Sequence, residues 1–137
     1  MDVFVYGTLT DPTRVAALVD SYVFVGPALL RGFHPVEGRY PTLAPGGEVA
    51  GRILRTEEID AIDAYEGVDR GLYARVEIPW ADGGAPDEGA PDAVAAYVGD
   101  PERLGVAASV EWPGSGPLAE RVERHVADAG ATVQPID

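Results

Sequence analysis

Cysteine is absent from this chain, and so is lysine. Without cysteine there are no disulfides and no thiolate metal sites, and the only histidines, His34 and His125, lie far apart in sequence. No protein-held metal and no other cofactor is expected from such a set. No run of 18 or more apolar residues occurs, and the chain opens directly in strand-like residues without a basic stretch and an apolar signal core. A soluble, cytoplasmic protein with no membrane partner is the expectation. Every cation is arginine, ten of them against 23 acidic residues, for a formal charge of −13. Nucleic acid is excluded as a partner on that ground, because binding it needs a basic patch to displace counterions from phosphates. A GC-rich genome explains the missing lysine but not the surplus of acid, so we favour a halophilic reading, a cytosol whose salt screens the self-repulsion. At 137 residues the chain is expected to form one domain spanning 1–137.

What is present is organised around Val3-Phe4-Val5-Tyr6-Gly7-Thr8-Leu9. The run is apolar on both faces of an extended chain, which places Val3 to Tyr6 as an interior strand. Gly7 permits a sharp bend, and Thr10 or Asp11 ahead of Pro12 matches a helix N-cap followed by proline in the first turn. Two readings of the Gly7-Thr8-Leu9 loop stand side by side: its backbone N–H groups receive a carboxylate or another oxyanion, or they meet water.

The spacing of Val15, Leu18 and Val19 predicts a short helix over 12–19. Strands are predicted over 21–25 and 28–30, broken at Gly26-Pro27, with an extended continuation over 32–36. A loop over 38–43, a hairpin turn at Pro45-Gly46-Gly47 and a strand over 49–54 come next. A helix over 56–66 follows, with Thr56 as N-cap and Gly67 as the left-handed residue past its end. On it Ile59, Ile62 and Glu66 share one stripe, so Glu66 is aimed at the core unless the last turn frays and frees it toward water or Arg70. An inward carboxylate at the negative end of a helix has a raised pKa from both causes, as a general acid/base near neutral pH requires. Strands over 72–80 and 93–98 flank an acidic, Gly- and Pro-rich hairpin loop over 81–92. After Gly105 a short edge strand over 109–112 and a helix over 118–129, with Leu118, Val122 and Val126 inward, complete the pattern. Gly114-Ser115-Gly116 lacks the context of a nucleophile elbow and reads as a loop.

Three of these stretches resemble the γ-glutamylcyclotransferase-like superfamily. Tyr6-Gly7-Thr8-Leu9 is similar to that family's Tyr-Gly-Ser/Thr-Leu/Asn signature, Gly38-Arg39-Tyr40-Pro41 to its Gly-Tyr-Pro loop, and Tyr65-Glu66-Gly67-Val68 with Gly71-Leu72-Tyr73 to its Glu-Gly-Val…Tyr segment. The resemblance covers about residues 2–98 and leaves 105–137 as a C-terminal extension. Where members often continue the first signature with basic residues, Thr10-Asp11-Pro12 stands here. The resemblance implies an α+β fold, a small mixed β-barrel with two or three short flanking helices. It further implies Glu66 as the catalytic acid/base, the Gly7, Thr8 and Leu9 amides as binders of a glutamyl carboxylate, and Tyr6, Tyr40 and Tyr73 beside the pocket. The implied reaction converts a small-molecule γ-glutamyl amine or γ-glutamyl amino compound to 5-oxoproline and free amine, without cofactor. A binding module that keeps the cavity without turnover, and a γ-glutamyl amide hydrolase, are the alternatives.

Overall fold

The computed structural model describes residues 1–81, 85 and 92–136. Most of the hairpin loop expected over 81–92 therefore lies outside the described residues. Six strands form one mixed sheet: β1 (Asp2–Val5), β2 (Val23–Glu37), β3 (Pro41–Arg55), β4 (Tyr73–Pro79), β5 (Ala93–Gly99) and β6 (Thr132–Pro135), in the order β4-β5-β1-β3-β2-β6. Strand β1 is interior as its two apolar faces require, antiparallel to β3 and parallel to β5, with Val3, Phe4 and Val5 all buried. The sheet curls into a half-barrel whose two edges meet, for Trp80 just past β4 bridges Val133 of β6 and the Ala81 amide donates to the Val133 carbonyl at 2.8 Å.

The curl comes from the long β2–β3 hairpin, and it differs from the expected short strands. Gly26-Pro27 does not break β2. Val25 is instead an extra residue between the Phe24–Leu54 and Gly26–Ile53 pairs, a bulge that bends the ribbon. Pro45-Gly46-Gly47 is likewise not the hairpin turn. It lies inside β3, where Gly46 and Gly47 oppose Gly32 alone and make a second bulge in the other strand. The turn itself is at 38–40. Gly32 has to be glycine: its φ is +100°, and a side chain there would start 2.8 Å from the Cβ of Ala131.

Three helices flank the sheet: α1 (Pro12–Leu18), α2 (Ile59–Glu66) and α3 (Leu118–Ala129). Asp11 caps α1, its carboxylate accepting from the Thr13 amide at 3.0 Å. Helix α2 starts later than expected, at Ile59 after Glu58: the Thr56 hydroxyl still accepts from the Glu58 amide at 3.1 Å while donating to the Ser21 carbonyl at 2.8 Å, and the Glu58 carboxylate is held outside the helix by the Asp20 and Ser21 amides. Gly67 closes α2 at φ +72° as predicted.

The expected edge strand over 109–112 is a turn region instead. The C-terminal residues nonetheless belong to the core. Trp112, Phe33 and His125 of α3 pack ring against ring with centroids 5.3 to 5.8 Å apart, Val122 and Val126 point inward, and β6 pairs with β2. His125 donates from Nε2 to the Gly32 carbonyl at 2.7 Å, a packing role.

Candidate active site

Strand β1 ends where the half-barrel opens, and the residues that follow it line a cavity of about 440 Å³. Tyr6, Gly7, Thr8 and Leu9 form one side of it. Residues 8–10 make a 3-10 turn, closed by the Thr10 amide and hydroxyl on the Gly7 carbonyl at 3.1 and 2.7 Å. Arg52 of β3 donates to the Thr10 carbonyl at 2.7 Å and stacks 3.8 Å over the Phe24 ring, which pins the loop to the sheet. Among the described residues the Gly7, Thr8 and Leu9 amides donate no hydrogen bond. Such a row of unpaired donors beside a cavity suits an anion.

The opposite side comes from α2 and the turn after it. Ile62 is fully buried, Ile59 packs partly buried against the core, and Glu66 on the same stripe lines the cavity. Glu66 keeps some access through the cavity, yet burial lifts its carboxyl from 4.5 to about 7. The Glu66 carboxyl faces tyrosines. Five of the six tyrosines of the chain, Tyr6, Tyr40, Tyr65, Tyr73 and Tyr97, line this cavity. Burial first, then the neighbouring Tyr73 and Glu66 charges, push the Tyr6 hydroxyl well above its ordinary value. Tyr73 is raised by burial and then by the Glu66 charge, and Tyr97 by burial and then by its bond to Asp63. These phenols stay neutral donors across the physiological range. Tyr73 donates to the Pro41 carbonyl at 2.5 Å and so holds the end of the β2–β3 turn, with Tyr40 beside it, at the cavity wall.

All seven residues singled out from the sequence, Tyr6, Gly7, Thr8, Leu9, Tyr40, Glu66 and Tyr73, thus lie around one cavity. Four more polar side chains that the sequence did not assign to the site also line it: Tyr65, whose hydroxyl is 3.1 Å from Thr8 Oγ1, Tyr97, Arg14 and Arg70. Arg14 reaches the cavity from α1. No helix of the described residues is long and apolar enough to cross a membrane.

A curled mixed sheet with three helices, open at a tyrosine-lined cavity beside a Tyr-Gly-Thr-Leu loop, is the γ-glutamylcyclotransferase-like fold. The model of the family "Gamma-glutamyl cyclotransferase, AIG2-like" matches residues 3–113, and the chain belongs to that family. Two Arabidopsis thaliana relatives are similar in sequence: AIG2-like protein A, 35% identical over 85 residues, which are 56% of this chain and 50% of the relative, and AIG2-like protein C, 37% identical over 76 residues, 50% and 44%. The chain thus spans about half the length of these curated relatives. Among solved structures, a gamma-glutamyl cyclotransferase superposes with a TM-score of 0.59 at 19% identity over 93% of this chain and 98% of its own. An uncharacterised Homo sapiens protein does so with a TM-score of 0.59 at 18% identity over 90% and 96%. At these identities the likeness is one of fold.

Proposed function

We propose that this cavity converts a γ-glutamyl amine or γ-glutamyl amino compound to 5-oxoproline and a free amine, with Glu66 as the acid/base. The observation that carries the reading is the Glu66 carboxyl, raised by burial to about 7 and facing the unpaired amides of the Gly7-Thr8-Leu9 loop across one cavity. The three amides hold the α-carboxylate of the glutamyl group and so fold the short chain toward ring closure, an orientation effect. Glu66 as carboxylate takes a proton from the α-ammonium. The freed amine attacks the γ-carbonyl carbon, a new C–N bond closes the five-membered ring, and the bond to the leaving nitrogen breaks as Glu66 returns the proton to it. The α-nitrogen loses two protons in all and the leaving nitrogen gains two, so Glu66 ends as it began. Tyr6, Tyr40 and Tyr73 wall the reacting group, and Tyr6 and Tyr73 stay neutral.

A panel of γ-glutamyl amines, γ-glutamyl amino acids and glutathione, read by mass spectrometry, tests the reaction. At least one is expected to yield 5-oxoproline, and Glu66→Gln is expected to lower the rate on the order of 10²- to 10⁴-fold. Free glutamate as product would make the protein an amide hydrolase. Binding without any product would make it a binding module.

A further inference from the structure

Four of the ten arginines of this acidic chain are committed elsewhere. Arg52 is bonded to the Thr10 carbonyl, Arg55 to Asp2 at 2.7 Å, Arg75 to Asp63 at 3.3 Å and Arg121 to the Trp112 carbonyl. Arg14 and Arg70 are not. Both line the cavity, and among the described residues neither guanidinium makes a hydrogen bond or ion pair. They reach it from its two sides. Arg14 belongs to α1, directly after the amide-bearing loop. Arg70 closes a 3-10 turn set between the left-handed Gly67 and Gly71, and its side chain folds back so that Nη2 lies 2.8 Å from where a Gly67 side chain would begin, next to Glu66.

Among the described residues the acidic lining of the cavity is Glu66 alone. A molecule of charge −13 therefore presents one cavity whose wall carries two uncompensated cations against one carboxyl of raised pKa. A local field of reversed sign gathers anions there and turns cations away. The glutamyl α-carboxylate already has the three loop amides, and about 440 Å³ exceeds what a glutamyl group fills. The second anionic group must then sit on the other half of the substrate.

We propose that Arg14 and Arg70 recognise a carboxylate carried by the leaving amine, so that the substrates are γ-glutamyl amino acids rather than γ-glutamyl derivatives of simple or cationic amines. The inference rests on the reaction proposed above. Guanidinium and carboxylate meet as a charge-assisted, forked pair, and a second ammonium at the same place meets only repulsion.

Three probes share the glutamyl half and differ in the rest: γ-glutamylalanine, γ-glutamylethylamide, which lacks only the carboxylate, and γ-glutamylputrescine, which adds a cation. Their dissociation constants are measured by calorimetry on the full chain carrying Glu66→Gln, and their conversion to 5-oxoproline on the unsubstituted chain. γ-Glutamylalanine is expected to bind about tenfold or more tightly than γ-glutamylethylamide, and γ-glutamylputrescine more weakly than both. In the Arg14→Gln/Arg70→Gln double variant the three are expected to converge to within about twofold, and added KCl is expected to narrow the preference before any arginine is changed. Equal binding of γ-glutamylalanine and γ-glutamylethylamide overturns the proposal. So does an equal loss for all three probes in the double variant, which would put the arginines on the glutamyl end. A clear preference without 5-oxoproline leaves the carboxylate site standing and removes the reaction. Turnover without preference does the reverse.

Discussion

Tyr6 and Tyr97 are joined hydroxyl to backbone: the Tyr6 hydroxyl donates to the Tyr97 carbonyl at 2.5 Å, and the Tyr97 hydroxyl in turn donates to Asp63 Oδ1 at 2.6 Å. Arg75 of β4 holds the other oxygen of Asp63 at 3.3 Å. Asp63 lies three residues before Glu66 on α2, one turn away on the same side of the helix. The chain of bonds thus runs from the end of β1 through β5 to the helix that carries Glu66, and it fixes how far that helix can roll.

Tyr97→Phe removes the link between β5 and α2 while Arg75 keeps Asp63 paired. A stability loss of about 1–2 kcal/mol is expected. If the bond positions Glu66, kcat for 5-oxoproline formation falls more than KM rises. Thermal melting with steady-state kinetics measures both, and an unchanged kcat would show that Glu66 is held without Tyr97.

Glu66 itself makes stability depend on pH. Its folded carboxyl, raised to about 7, holds a proton that the unfolded chain has released above about 4.5. The folded state binds more protons between those values, so this contribution is present at low pH and is lost as pH rises from about 4.5 through about 7. Glu66→Gln removes the dependence. Up to ~3 kcal/mol of relative stabilisation of the variant is expected at pH 8, shrinking to nothing near pH 4. Melting curves of both proteins across that range check the sign.

The parts of the site that were legible in the sequence are those written in local pattern. Two apolar faces marked Val3 to Tyr6 as interior, the i, i+3, i+7 spacing brought Glu66 onto the side of Ile62, and Gly67 announced the helix end. What sequence missed depends on distant partners. Thr56 looks like the residue that starts the helix, but the amides of Asp20 and Ser21 hold the Glu58 carboxylate and the helix begins after Glu58. Pro45-Gly46-Gly47 looks like a hairpin turn, but the pairing of β2 with β3 continues past it as a bulge. Tyr97 alternates as an ordinary core residue of β5, and only Asp63 on another element gives its hydroxyl a purpose. Strand β6 is four residues long and is defined by its pairing with β2, which no local window contains.

Gly51 lies under β1, where an added Cβ would run into the Val5 backbone carbonyl and come 2.7 Å from the Phe4 ring. Gly51→Ala must displace β1, whose end carries the Tyr6 to Leu9 loop. A loss on the order of 1–3 kcal/mol is expected, together with weaker binding of γ-glutamyl ligands because the loop amides move with the strand. Denaturant unfolding and calorimetry read the two effects. Unchanged unfolding would mean that the sheet absorbs the methyl group without moving β1.

The charge of −13 with no lysine gives a prediction about salt. If the acidity answers a salt-rich cytosol, the melting temperature rises from low salt to molar KCl by more than screening gives for an average acidic protein. A melting temperature flat across that range would leave codon usage as the source of the composition.

The pH dependence of turnover separates Glu66 from every other titrating group of the cavity. Tyr6, Tyr73 and Tyr97 are raised away from neutrality, chiefly by burial, whereas Glu66 is raised to about 7 and changes charge there. Ring closure needs it as carboxylate to accept the α-ammonium proton. The profile of kcat/KM reports the free enzyme, so it is expected to fall by about tenfold per pH unit below a limb near pH 7 and to level off above it, until the free substrate ammonium titrates. Its α-amine retains a proton to higher pH, which places the two limbs on different partners: the lower one moves with the protein, the upper one with the substrate. Exchanging γ-glutamylalanine for another γ-glutamyl compound should therefore leave the acid limb where it is. An acid limb near the ordinary glutamate value would mean that Glu66 is exposed in the working enzyme and that the base lies elsewhere in the cavity.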